Sequence, residues 1–521
     1  MHRGACALSL LLAASCSRCG GQRSAPEAAE LLPQHPSGAV VTAPLGLLAS
    51  HGSALSDRVS ALPGGEQVGE ARKAIGAQLG FDLLTREGLL AAGLDPDRGA
   101  ALALEIRGGA RAGWMVALPL ISPEKFLATF DRLARERAGY PVRSDEARGD
   151  VRIALFARTA DAESKGRVAV AVVRGYGLVA RGEDPAARLA AAGTRPREQS
   201  LAADPLLAST RNVLGAQDLL LLAPAGSELP RRVVERDLPG DVSLSISGSA
   251  QGIAARLRAN LGATAAQAQA ALPGGGVSLV DLLPASAPLR ARLGVAPAQL
   301  LEFAGRFPQL AALLQHLRGI DREVLASVKP GVALSLGVEK GANIGQAIDY
   351  GLDFRRKSPF DTVQLVALAQ VADKPRLLKA MNALAAVLPT LGARVTRKGE
   401  DFQVSYAKGK GARFGMQGDL AYALGGEIAP QDLRRTPRPV NPAVAALYDD
   451  AGAALRLDLG KLSDQLRALP DSTYGTGPQA YVARSLVSQV IEPLRPVRIS
   501  LAAQAYSDSL GATLDIELVA P

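Results

Sequence analysis

SPEKFLATFDRLA at 122–134 and DKPRLLKAMNALA at 373–385 decide how the chain is built. Phe126, Leu127, Phe130, Leu133 and Ala134 of the first stretch align with Leu377, Leu378, Met381, Leu384 and Ala385 of the second. The spacing i, i+1, i+4, i+7, i+8 puts these side chains on one apolar helix face. Ser122 and Asp373 stand just before the helices as N-caps, since each side-chain oxygen can accept from an orphan amide of the first turn. One helix, with its cap and its buried stripe, is written twice.

Outward from these helices the match continues. TREGLL at 85–90 recurs as DREVLA at 321–326, with Thr85 and Asp321 in the capping place. GAALALEI at 99–106 recurs as GVALSLGV at 331–338, and WMVALP at 114–119 as QLVALA at 364–369. These segments alternate as strands do. A hairpin at 151–158 and 167–173 and a strand at 178–181 are matched by 402–407, 413–416 and 420–424. Alternating hairpins at 241–261 and 497–518 close the two halves. The fold expected is α+β, with two tandemly duplicated lobes, each an antiparallel sheet packed against helices. Lobe one is placed at 37–262, a linker at 263–276 that ends in PGGG, and lobe two at 277–521.

A chain of 521 residues is too long for one ordinary core. With 48% hydrophobic and 21% charged residues it is globular. Aromatics make up only 4%, so Ala, Leu and Val must fill the cores. The net charge of +9 is modest, and its clusters (Arg231-Arg232, Arg355-Arg356-Lys357, Arg434-Arg435 with Arg438) are short. None is interleaved with aromatics, which argues against a nucleic-acid surface.

At the N-terminus, His2 and Arg3 precede an apolar run from Ala5 to Ala14 and then small residues. This is a secretory signal pattern over 1–15, too short to span a bilayer. LAASC at 12–16 resembles a lipobox, with Ala14 and Ser15 before Cys16; Ala13 stands where leucine is usual. Cys16 is therefore the expected lipidation site, and cleavage by the ordinary signal peptidase is the alternative. The cysteines are Cys6, Cys16 and Cys19, so the folded body has none. Residues 16–36 read as a flexible tether. No later segment offers about eighteen uninterrupted apolar residues.

Catalytic and metal chemistry finds little footing. The histidines are His2, His35, His51 and His316, with no metal-ligand spacing among them. Ser122-Pro123-Glu124-Lys125 satisfies S-x-x-K, but the companion S-D-N and K-T-G elements are missing. The cap reading fits better, with Pro123 at the first helical position and Glu124 at the positive end. Gly409-Lys410-Gly411 superficially resembles a phosphate loop; lying between two strand-like runs, it reads as a hairpin turn. No catalytic, cofactor or metal residue is assigned and no cofactor is expected.

With Phe81-Asp82-Leu83-Leu84, the Gly93-Leu94-Asp95-Pro96 turn and the strand Ala100–Ile106, the chain resembles a loosely defined family of uncharacterised bacterial envelope proteins. These carry a domain of unknown function, often behind a lipoprotein signal. The resemblance is strongest over 75–190 and fainter in lobe two, and it supplies no catalytic residues. It implies a cell-envelope protein, anchored by lipid in the outer membrane and facing the periplasm. The expected role is non-enzymatic: binding a hydrophobic or peptidic ligand, in a groove that small Ala, Leu and Val side chains leave between sheet and helices. A periplasmic hydrolase with an unrecognised site and a structural or adhesion protein are the alternatives.

Overall fold

The computed structural model describes residues 26–106, 113–160, 166–214, 217–227, 240–260, 262, 265–272, 279–294, 319–340, 342, 358–406, 409–428, 433, 448, 451–474 and 478–519. Cys16, the signal segment, His2, His316, the PGGG stretch and the arginine clusters at 231–232, 355–357 and 434–438 lie outside them. Helices and an antiparallel sheet make the fold α+β. Two compact units divide the chain: Met1–Leu45 with Leu89–Ser209, and Gly46–Gly88 with Thr210–Pro521.

In the first unit the strands are β1 (Gly38–Pro44), β2 (Gly99–Glu105), β3 (Gly113–Pro119), β4 (Val142–Arg148), β5 (Val151–Ala157), β6 (Val168–Val173) and β7 (Tyr176–Arg181). They pair antiparallel in the order β1-β2-β3-β7-β6-β5-β4. In β6, Val168 to Ala171 are buried on both faces, a continuous β-branched and alanine run of the kind a covered strand needs. Helices Pro123–Arg132 and Pro185–Thr194 carry the packing, with Phe126, Leu189 and Ala192 buried. Phe130 meets Phe156 edge-on at 5.5 Å between ring centroids.

The second unit holds β8 (Leu219–Ala223), β9 (Val242–Ser249), β10 (Gly252–Asn260), β11 (Leu289–Leu293), β12 (Val332–Val338), β13 (Val363–Gln370), β14 (Ala393–Lys398), β15 (Asp401–Tyr406), β16 (Ala412–Gln417), β17 (Leu420–Gly425), β18 (Ala453–Asp458), β19 (Val497–Ala505) and β20 (Ser509–Leu518). Their order is β8-β9-β10-β20-β19-β18-β11-β12-β13-β17-β16-β15-β14. The run β12-β13-β17-β16-β15-β14 thus has the pairing order of β2-β3-β7-β6-β5-β4. Details recur too. Ile121 N and Ser122 N both donate to Gly93 O, and Ala372 N and Asp373 N both donate to Ser327 O. Isolated bridges join Leu94 to Leu120 and Val328 to Val371.

Four expectations need correction. Residues 26–36 are not a free tether: Ala28, Ala29, Leu31 and Leu32 are buried, and Pro26 O accepts from Arg98 Nη2 at 2.8 Å and Tyr176 Oη at 2.9 Å. The polar composition there hides four apolar side chains that insert together. The linker at 263–276 contains a helix, Ala265–Ala271, which packs on β19 and β20. The cap of helix Ile320–Ala326 is Gly319 rather than Asp321, which falls in the first turn.

The fourth is the strand match WMVALP to QLVALA, which is off by one. Ala101 faces Ala117, and its counterpart Ala333 faces Leu368, so Met115 corresponds to Val366. Strand side chains alternate in direction, so a one-residue slip exchanges the two faces. The expected boundaries 37–262 and 277–521 follow the matching of sequence segments, whereas the compact units group Gly46–Gly88 with Thr210–Pro521.

Candidate functional site

The middle of the second unit's sheet carries an unusual pair of faces. Register puts Leu336, Leu289, Leu457, Ile499, Ile516 and Ile253 in one row across β12, β11, β18, β19, β20 and β10. Beside it run Leu334, Ala291, Leu455, Leu501 and Leu514. This apolar plate is only partly covered. Leu55 and Val59 of helix Leu45–Ser60 and Leu459 and Leu462 of helix Leu459–Arg467 pack at the end marked by Leu457, Ile499 and Ile516. Leu336 and Leu501 remain 39% and 45% exposed.

The opposite face of the same strands is covered and mixes polar side chains with Ala333, Ala454 and Ala502, which join a buried apolar cluster. Ser335, Arg290, Arg456 and Ser500 are cross-strand neighbours, and Ser335, Ser500, Ser245 and Arg292 are buried. A one-sided antiparallel sheet ordinarily buries its apolar face and wets the polar one. Here most of the charged and hydroxyl side chains lie on the covered face, while the leucine and isoleucine rows are packed at one end alone. The other members of the two rows are half-buried, apart from the buried Ala291, and exposed apolar patches on soluble proteins are common binding surfaces.

Peripheral to the plate, the helix Pro478–Leu486 and the π-turn Val487–Ile491 expose Tyr481, Val482, Leu486 and Val490 while Val487 and Ile491 pack inward.

Ser122 is the helix cap expected from sequence: its Oγ accepts from Lys125 N at 3.4 Å, as Asp373 Oδ1 accepts from Arg376 N at 3.0 Å. Ser122 Oγ also donates to Glu124 Oε2 at 3.3 Å, and the two described histidines pair with Asp204 and Asp218, away from Ser122. Ser122→Asp is expected to leave stability within a fraction of a kcal/mol, while Ser122→Ala costs about 1 kcal/mol. Urea unfolding checks this, and labelling of Ser122 by a fluorophosphonate would contradict it.

Lys410 sits in the β15–β16 turn, and its charge is used internally. Nζ lies 2.8 Å from Glu339 Oε1 and 2.9 Å from Glu427 Oε1. Glu339 is fully buried and also accepts from Lys340 N at 2.9 Å and Glu427 N at 3.1 Å. Lys410 N donates to Asp361 Oδ1 at 2.6 Å. The Lys410 ammonium and the Glu339 carboxylate satisfy one another and their neighbours, which makes this knot a clamp between loops.

The two described histidines each face an aspartate that sequence reasoning did not pair with them. His51 Nδ1 lies 2.9 Å from Asp218 Oδ1, and His35 Nδ1 lies 3.2 Å from Asp204 Oδ2. Asp218 Oδ2 also accepts from Gly248 N at 2.6 Å. Neither imidazole hydrogen-bonds a serine, threonine or cysteine side chain among the described residues, so a nucleophile–base pair is lacking there. No group of three metal-ligating side chains occurs among the described residues, and no described helix is long and apolar enough to cross a membrane.

No family model and no curated protein matches the chain. Crystal forms IV, III and I of TP0453 match 46% of this chain and 81% of that chain, at 11% identity and TM-scores of 0.27, 0.28 and 0.28. Likeness at that level carries no inference.

Proposed function

We propose that this chain is an exported, non-enzymatic envelope lipoprotein, anchored in the outer membrane through Cys16 and facing the periplasm, that holds an apolar ligand on the open plate of its second unit. The single observation behind the ligand is the pair of leucine and isoleucine rows, left half-open. An acyl chain suits the plate better than a peptide. The plate strands β10, β20, β19, β18, β11 and β12 are paired on both sides, so no free edge invites β-augmentation. A peptide lying flat would bring unsatisfied backbone onto an apolar surface. The signal pattern and lipobox before residue 17 support the export and the anchor.

The same reading takes the chain as a tandem duplication, with lobe one at 37–262 and lobe two at 277–521. The shared pairing order, the paired carbonyl contacts at Gly93 and Ser327, and the matched caps at Ser122 and Asp373 support it.

Burying about ten methylenes at roughly 0.8 kcal/mol each gives on the order of 8 kcal/mol before the costs of binding. Solvent-extracted mature protein titrated with a fluorescent fatty acid should bind it saturably at micromolar concentrations. Leu501→Asp and Leu336→Asp, both at exposed positions, should weaken binding about tenfold or more by placing a carboxylate on the plate. Absence of saturable binding, or equal affinity in the two variants, would sink the proposal.

A further inference from the structure

The covered face of the same sheet gathers more positive charge than its own anions use. Arg290 on β11 lies directly across from Arg456 on β18, and like charges in that relation repel. Lys461, in the first turn of helix Leu459–Arg467, joins them. Arg456 Nη2 has Glu517 Oε2 at 3.1 Å, and Arg498 Nε has Asp458 Oδ2 at 3.1 Å. Arg290 and Lys461 have no carboxylate within ion-pair distance among the described residues. Both instead donate to one neutral acceptor, Ala285 O, at 2.6 Å from Arg290 Nη2 and 2.7 Å from Lys461 Nζ.

Burial pulls both of their pKa values down, and for Lys461 the neighbouring Arg290 adds to the fall. Asp515, across from Ser500, has its own pKa raised by burial.

Around these cations the polar atoms are unused. Arg290 Nε, Ser500 Oγ and Tyr448 Oη are buried with no hydrogen-bond partner among the described residues. Ser500 is the cross-strand neighbour of Arg456. The Tyr448 phenol is raised to about 12 by burial against the pull of Arg456 and Arg290, so it stays a donor at neutral pH. Orphaned buried donors are rare and call for an explanation.

The first unit shows what the fold alone requires at these places. There β1 puts Ala39 and Val41 opposite Ala103 and Ala101, where β11 puts Arg290 and Arg292 opposite Ser335 and Ala333. Small apolar side chains suffice for the sheet.

We propose that Arg290, Arg456 and Lys461, with the hydroxyls of Tyr448 and Ser500, form a binding site for a phosphate group. Donors supplied by a guanidinium pair, an ammonium and two hydroxyls suit a tetrahedral, doubly charged oxyanion better than a planar carboxylate. The site is on the face of the sheet opposite the apolar plate, so it stands whether or not the plate takes a ligand.

The test is calorimetric titration of the full mature protein with inorganic phosphate, glycerol phosphate and acetate in a phosphate-free buffer, with melting temperature followed in parallel. Phosphate should bind saturably and raise the melting temperature with concentration, with acetate far weaker. Glycerol phosphate binding as well as inorganic phosphate would identify an ester such as a lipid headgroup as the source, and exclusion of the ester would identify the free ion.

Arg290→Ala, the residue the first unit uses, and Lys461→Gln should each weaken binding about tenfold or more. Arg290→Ala should also raise the melting temperature of the ligand-free protein, because a desolvated charge is removed. That comparison rests on the paired-lobe reading; Lys461→Gln, at a half-exposed position, does not. No phosphate binding by folded wild-type protein at millimolar concentration, or unchanged affinity in Lys461→Gln, would overturn the site.

Discussion

Lys410→Met is expected to destabilise the second unit by about 3–5 kcal/mol, because it leaves a buried carboxylate without its cation. Glu339 has no exposed surface, and its carboxylate is held by Lys410 Nζ and two backbone amides. Methionine keeps much of the length of the lysine stem and removes the charge, so the loss is electrostatic and not a cavity. Glu339→Gln with Lys410→Met should recover part of the loss, since a neutral amide costs less to bury unpaired than a carboxylate. Urea unfolding followed by circular dichroism measures all three variants. A cost below about 1 kcal/mol for Lys410→Met would show that water reaches Glu339.

The pH dependence follows from the same contacts. Burial opposes the Lys410 charge, but Glu339 and Glu427 outweigh it, so its pKa is raised. That contribution is complete below the ordinary lysine value of about 10.4 and is lost as pH climbs through the raised one. Glu427 is held below its ordinary value by Lys410. Its contribution is present above about pH 4.3 and fades as pH falls through the lowered value.

Phe126→Ala should cost about 3–5 kcal/mol in the first unit, the range for deleting a buried ring. Phe126 is buried, meets Phe130, and lies over Gly177 of β7. A Cβ at Gly177 would come within 2.4 Å of the Phe126 ring. Gly177→Ala alone should therefore destabilise by about 1–3 kcal/mol through overpacking. In the second unit the corresponding pair is Leu377 and Ala421, members of one buried cluster. Phe126→Leu should accordingly rescue Gly177→Ala by making that pair in the first unit. Trp114 is the only tryptophan in the chain, and it lies on β3 of the first unit, so its fluorescence reports this unfolding. Additive effects of the two substitutions would refute the shared packing role.

The matching segments were legible because their signals are local. A cap, an i, i+4, i+7 stripe and strand alternation are all set within a few residues of one another. Ser122, Asp373, Phe126 and Leu377 could be read directly for that reason. The off-by-one strand match escaped because WMVALP and QLVALA are apolar at nearly every position. Alternation cannot fix register where both faces are apolar. Strands β4 and β14 were missed for the opposite reason, since VRSDEAR and ARVTRK carry few apolar side chains.

The open plate was half-visible. LRARL at 289–293 and VRISL at 497–501 alternate cleanly, yet alternation does not say which face the rest of the chain covers. The pairs His51–Asp218 and Glu339–Lys410 join residues far apart in sequence, and nothing near either partner announces the other.

The central claim is an acylated envelope protein carrying an apolar ligand on its open plate. Native mass spectrometry of the mature protein, extracted from its own membrane in mild detergent, tests both parts at once. The account predicts a first residue Cys16 bearing acyl chains, and a further lipid mass that dissociates on gentle activation and is depleted in Leu501→Asp. An unmodified N-terminus downstream of Cys16, together with no bound lipid mass, would contradict it.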